Sequence, residues 1–300
     1  MLDKMLEPGG ITTVMQPIVR VSRGLCEVAS VECLTRGPAG SPFESPSVLF
    51  EYARRKHAEN LLDRHAIATG LLAAKSMPAP MRISVNAYAS TVGGDPGFVD
   101  FLSETAQICG IELPRLTVEV VEHSPAWNIS GFLSALRQLR MFGIQVALDD
   151  VGTGHSNYRM MLDAEPNCFK IDAYLVRKAY ADRKRRSVLA SIVALAHDLG
   201  SSVVAEGVEE VQELEVLLDL GVDLIQGYLF SRPLPINELI PAVTRINRLG
   251  YIQTAKVPRR MKTLFGTDEL PAQDHAMIIV PRPRHTRFPI RTAFSLSPRP

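Results

Sequence analysis

Residues 146–158 read V-A-L-D-D-V-G-T-G-H-S-N-Y: an apolar run ends in two adjacent carboxylates, Asp149 and Asp150, and the turn Gly152-Thr153-Gly154 follows. Side chains alternate along a strand, so neighbouring aspartates would ordinarily face opposite ways. The same alternation sorts the other β-like runs. Ile83 and Val85 oppose Ser84 and Asn86, Val118 and Val120 oppose Thr117 and Glu119, and Val146 and Leu148 oppose Ala147 and Asp149. Phe169 and Ile171 oppose Lys170, and Val203 and Ala205 oppose Glu206. If the larger apolar set packs outward, Asn86, Glu119, Asp149, Lys170 and Glu206 share the opposite face, and Glu32 and Gln226 join them from two further runs. Two carboxylates ~4 Å apart repel by about 4 kcal/mol at an effective dielectric of ~20. Such a set is expected to take up protons or bind cations. Oxygen-only donors favour hard ions such as Mg2+ or Mn2+, and the lack of His and Cys argues against zinc. Asp149 closes its strand, whereas Asp150 lies where the backbone is expected to leave it. The pair could then serve two ions ~3.5–4 Å apart, with one aspartate bridging. Glycines at 152 and 154 let the following loop turn tightly.

Eight short runs must position these groups: 12–19, 27–35, 82–86, 116–122, 144–150, 168–172, 202–206 and 223–227. Helix-length segments with apolar residues at helical spacing separate most of them, for example Phe132, Leu136 and Leu139. The alternation predicts a (β/α)8 barrel of TIM type, whose catalytic groups gather at the C-terminal ends of the strands. One link breaks the rule. Only R-V-S-R-G-L-C separates the first two strands, too little for a parallel crossover. The first strand is therefore expected to run antiparallel, which makes the barrel a modified one. From about residue 250 the rhythm stops: the last 50 residues hold seven prolines, and nine Lys/Arg against three Asp/Glu. The chain is divided at 249/250 into a barrel domain and a Pro/Arg-rich extension that is flexible or loosely docked, with one short strand expected over 276–280.

With 46% apolar and 22% charged residues the chain has the makeup of a water-soluble globular protein. A net charge of +1 gives no signal for a nucleic-acid polymer or a charged membrane surface. No apolar run approaches the ~20 residues of a membrane span, and no signal-peptide pattern opens the chain. Cys26, Cys33, Cys109 and Cys168 lack metal-knuckle spacing and suit reduced thiols, so a cytoplasmic location is expected.

Eight motifs in order resemble the EAL-domain cyclic di-GMP phosphodiesterases across about residues 10–245. They are M-Q-P-I-V (15–19), E-C-L-T-R (32–36), S-V-N-A (84–87), E-V-V-E (119–122) and D-D-V-G-T-G (149–154), then F-K-I-D (169–172), A-E-G-V-E (205–209) and Q-G-Y-L-F-S-R-P-L (226–234). The resemblance implies a barrel with an antiparallel first strand, in agreement with the link-length argument. It implies hydrolysis of cyclic di-GMP to linear pGpG with two ions, Mg2+ or Mn2+, lowering a bacterial second messenger. Glu32, Asn86, Glu119 and Asp149 would hold one ion, and Asp149 and Asp150 the other. Lys170 and Glu206 would position or deprotonate the attacking water, with the base left open between them. Gln16, Leu34, Arg36 and Gln226 would contact the dinucleotide, the arginine fork suiting phosphate. Glu122, with Gly152, Thr153 and Gly154, would couple the loop to the family's homodimer interface.

The departures spare the ligands. Cys33 and Thr35 stand in the signature where alanine and leucine are usual, Val151 stands for phenylalanine, and Val121 for threonine. They touch loop packing and regulation. G-G-D-P (93–96) is read as a loop, the basic run 177–186 as a solvated helix face, and His123 and His155 as loop residues. Two other functions compete with the enzyme. One is a catalytically silent relative that binds cyclic di-GMP or a protein, and the other is an unrelated metal-dependent barrel hydrolase. Silent members usually lose metal or base residues, and all are present here.

Overall fold

The computed structural model describes residues 2–22, 24–121, 128–152, 158–252 and 278–281. Eight strands form the barrel: β1 (Thr12–Ser22), β2 (Leu25–Arg36), β3 (Arg82–Tyr88), β4 (Leu116–Val121), β5 (Gln145–Val151), β6 (Cys168–Ile171), β7 (Ser202–Ala205) and β8 (Leu224–Gln226). They pair in the order β1-β8-β7-β6-β5-β4-β3-β2, and β1–β2 pairing closes the ring. β1 is antiparallel to both neighbours, and β2 through β8 run parallel. Only residues 23 and 24 separate β1 from β2, which permits a hairpin and nothing longer. The modified barrel expected from that link is the one observed.

Helices pack around the ring: α1 (Leu2–Leu6), α2 (Pro46–Arg55), α3 (Glu59–Ala74), α4 (Ala89–Gly94), α5 (Phe98–Ile108), α6 (Ile129–Met141), α7 (Tyr158–Ala164), α8 (Ala173–Val176), α9 (Arg183–Asp198), α10 (Val211–Asp219) and α11 (Ile236–Ile246). The outward face of each strand supplies the main core. Ile83, Val85, Val118, Val146, Leu148, Phe169, Ile171 and Val203 are buried there with Leu102, Leu136, Leu139, Leu189 and Val193 from the helices. Burial of such side chains stabilises by about 1.5–3 kcal/mol each. A smaller core, formed by Met5, Ile11, Leu49, Ala53, Leu62 and Ala66, ties α1 to α2 and α3. Asp63 is buried on α3 and accepts a hydrogen bond from the Tyr88 backbone N–H at 3.0 Å, so it pins the end of β3. Burial pushes its carboxyl up to about 7, against hydrogen bonds that lower it.

G-G-D-P is only partly a loop. Gly93 and Gly94 end α4, and a Cβ on Gly93 would meet the Asn128 carbonyl at 2.7 Å, so the glycine lets α4 and α6 approach closely. Asp95 forms a two-bond ion pair with Arg64, at 2.6 and 2.8 Å. The basic run is not simply solvated: Arg177 pairs with Glu209, and Arg185 donates to the carbonyls of Tyr174 and Arg177.

Two further strands follow α11. β9 (Leu249–Ile252) spans the expected boundary at 249/250 and pairs antiparallel with β10 (Ile278–Pro281), which overlaps the strand expected over 276–280. β9 joins the barrel sheet where Gly250 meets Leu25, at the start of β2. The remainder of the extension lies outside the described residues. Among the described residues no helix is long and apolar enough to cross a membrane.

Candidate active site

The C-terminal ends of β2 through β8 converge on one buried ammonium. Lys170 on β6 reaches Glu119 at 2.5 Å, Glu206 at 2.6 Å, Asp149 at 3.1 Å and Glu32 at 3.4 Å, and its side chain is 2% exposed. Glu32 also accepts from Asn86 Nδ2 at 2.8 Å and from Gln226 Nε2 at 2.7 Å. Gln16 lies opposite Glu32 across the antiparallel β1–β2 pair, accepts from Gln226 at 3.2 Å and donates to the Ser231 carbonyl at 3.0 Å. Leu34 and Arg36 follow Glu32 on the same face of β2, and Arg36 is held by a 2.8 Å bond to the Thr35 carbonyl. Alternation thus gathers Gln16, Glu32, Asn86, Glu119, Asp149, Lys170, Glu206 and Gln226 in one place. Gly152 is described, whereas Glu122, Thr153, Gly154, His123 and His155 lie outside the described residues.

The adjacent aspartates have a local explanation that differs from the expected one. β5 does not end at Asp150 but runs on to Val151. Leu148 pairs with Phe169 and Val151 with Ile171, so Asp149 and Asp150 together oppose Lys170 alone. One extra residue on one strand is a β-bulge, and Asp150 takes a left-handed φ of +53°. Aspartate adopts that conformation more readily than most residues. The bulge breaks alternation, and one carboxylate oxygen each from Asp149, Asp150 and Glu206 come within 4.8 Å of one another. Gly152 follows at φ +104°, and a Cβ there would overlap Leu175 Cδ1.

The electrostatics revise the simple choice between protonation and cations, because the fold supplies a cation of its own. Burial works against charge on Lys170, but Asp149, Glu119, Glu206 and Glu32 outweigh it and hold the ammonium well above its ordinary range. Burial likewise opposes charge on Glu32, yet Lys170 and the hydrogen bonds from Gln226 and Asn86 leave it below the usual carboxylate range. One ammonium cannot balance four acids. Burial and the Glu32 charge raise Glu119 well above its ordinary value despite Lys170. Burial also raises Glu206 to about 8, with Asp149 and Glu32 adding to the effect and Lys170 opposing it.

Two supporting acids escaped sequence reasoning. Glu213 on α10 is buried and accepts from the backbone N–H groups of Lys178 at 2.9 Å, Glu209 at 2.9 Å and Glu210 at 3.1 Å. It fixes the loop that leaves Glu206. The E-x-x-E spacing of Glu210 and Glu213, a capping box, was the available signal. Asp63 was signalled by an acid on an apolar helix face, beside Leu62, Ala66 and Ile67.

The EAL domain family model matches residues 1–233. Cyclic di-GMP phosphodiesterase PA2567 of Pseudomonas aeruginosa is 30% identical over 235 residues, covering 77% of this chain and 39% of that protein. Cyclic di-GMP phosphodiesterase NbdA of the same organism is 34% identical over 159 residues, covering 53% of this chain and 20% of that protein. The chain therefore spans two fifths or less of the length of these curated relatives. Among solved structures, the manganese/cyclic di-GMP complex of Klebsiella pneumoniae BlrP1 at pH 9.0 superposes with a TM-score of 0.67 at 30% identity, covering 75% of this chain and 56% of that one. The PaMucR phosphodiesterase complex with c-di-GMP gives a TM-score of 0.70 at 26% identity, covering 79% and 97%.

Proposed function

The chain belongs to the EAL-domain family, and from that premise we propose that it hydrolyses cyclic di-GMP to linear pGpG with two divalent ions, Mg2+ or Mn2+. The observation that carries this reading is the convergence of Asp149, Asp150 and Glu206 beside a lysine ringed by four carboxylates. The donor set fits hard cations: every candidate ligand offers oxygen, and the cluster holds more acid than one ammonium can balance. Glu32, Asn86, Glu119 and Asp149 would hold one ion, and Asp149 and Asp150 the second. The ions would supply Lewis acidity toward the scissile phosphate and lower the pKa of a bound water.

The chain's own groups do the rest. Water adds its oxygen to phosphorus, one P–O bond to a ribose 3′ oxygen breaks, and that oxygen takes up a proton. Lys170 contacts all four carboxylates and would serve as a positive charge that orients them. Glu206 lies beside Asp149 and Asp150 at the mouth and contacts Lys170 at 2.6 Å, so it is placed to take the proton of the attacking water. Gln16, Leu34, Arg36 and Gln226 line the approach, and the Arg36 fork suits a phosphate oxygen pair. Glu122, Gly152, Thr153 and Gly154 would couple the loop to a homodimer.

Incubation of the purified chain with cyclic di-GMP and Mn2+ is expected to yield pGpG. Saturable binding with no turnover, in protein whose metal content is confirmed, would instead favour a receptor.

A further inference from the structure

We propose that the lower half of the barrel is a second binding site, for a phosphomonoester, with Arg82 as its anion anchor. TIM-type barrels usually fill their interior with layers of bulky branched side chains. Below the acid cluster this one mixes Ile18, Val204 and Leu224 with the smaller Ser30, Ser84, Thr117, Ala147 and Cys168, and a cavity of about 860 Å3 opens at the N-terminal ends of the strands. Its upper end reaches the undersides of Glu119 and Lys170. The volume lies within the ~300–1,000 Å3 typical of small-molecule sites.

Arg82 opens β3 and shares the inward face with Ser84 and Asn86. Its Nη1 is buried without a hydrogen-bond partner among the described residues. Burial depresses its proton affinity, and no acid offsets the effect. Other interior or half-buried cations are matched: Lys170 by four carboxylates, Arg64 by Asp95, and Arg115 by the carbonyls of Met81 and Met77 at 3.0 Å each. A buried cationic donor left without a partner is costly, and native interiors rarely keep one. Arg20 and Glu27, both exposed, oppose each other across β1–β2 in the wall and offset each other's charge. Of the other acids in the wall, Glu119 pairs with Lys170 at 2.5 Å, and Asp223 accepts from the Val203 N–H at 2.8 Å and pairs with His197 at 3.0 Å. An anion would supply that partner, and a guanidinium fork fits a phosphate oxygen pair. The cavity is far larger than a lone oxyanion, and the hydroxyls of Ser30, Ser84 and Thr117 suit a sugar. This inference stands apart from the phosphodiesterase reading.

Calorimetric titration of the full chain in EDTA and low salt tests it, with ribose 5-phosphate, inorganic phosphate and ribose as probes. Without metal, the carboxylates of the upper cluster repel anions. Ribose 5-phosphate is expected to bind saturably, more tightly than inorganic phosphate, and ribose not at all. Arg82→Gln should weaken binding by roughly tenfold or more, and Thr117→Val should weaken it less. Asp149→Ala should leave it unchanged. No saturable binding, equal affinity in Arg82→Gln and Thr117→Val, or loss of binding in Asp149→Ala would each overturn the site. Equal affinity for inorganic phosphate would overturn the phosphomonoester assignment.

Discussion

At the scale of single residues, Lys170 is the organising group. Five ionisable side chains share a largely buried space, and only one is positive. Breaking a buried ion pair typically costs ~3–5 kcal/mol, because the abandoned charge stays desolvated. Lys170→Met is therefore expected to lose that much stability in metal-free buffer, read by urea denaturation, and to lose more at pH 8 than at pH 5, where the acids can protonate. Added Mn2+ should restore more stability to the mutant than to the wild type. The acids themselves are tested by turnover. If each ion contributes several kcal/mol of transition-state stabilisation, Glu32→Ala or Asp149→Ala should slow pGpG formation by ~1,000-fold or more. Near wild-type rates in either variant would refute the assignment.

At the scale of elements, the β5 bulge decides where the chemistry can sit. A regular strand would turn Asp150 into the helix layer, away from Lys170. The extra residue and the left-handed Asp150 bring both aspartates to the mouth, and Gly152 redirects the chain past Leu175. Gly152→Ala meets both an unfavourable φ and Leu175, so a loss of about 1–3 kcal/mol is expected by thermal denaturation, with a larger proportional loss of turnover. Much of this was legible in the sequence. Alternation picked the inward set from Asn86 to Glu206, and the short link before Leu25 fixed the direction of β1. The bulge was not legible, because D-D-V-G reads equally well as a strand end. Nor was the pairing of β9 with Leu25: Gly250 carries no side-chain signal, and strand addition is read from backbone hydrogen bonds, which no residue type announces. The roles of Lys170 as counter-ion and Glu213 as loop anchor depend on contacts between elements far apart in sequence.

At the scale of the whole molecule, stability should carry a pH signature from Asp63. Its carboxyl is raised by burial from its ordinary 3.8 to about 7 in the folded protein, so the folded state binds a proton that the unfolded state has already released. The associated stability is fully present below pH 4, declines as pH rises toward 7 and is absent above it. The shift corresponds to ~4 kcal/mol. Asp63→Asn keeps an acceptor for the Tyr88 N–H and should flatten this decline, which denaturation midpoints across pH 4–8 would reveal. An unchanged slope would place the titrating group elsewhere. The reversed β1 has a consequence for how the domain can be wired. Thr12 pairs with Arg36, so the chain enters the barrel at the catalytic rim, while β9 leaves from the opposite rim beside Leu25. The two ends of the barrel's strand run therefore sit on opposite rims: β1 starts beside the acid cluster, and β9 lies at the far rim.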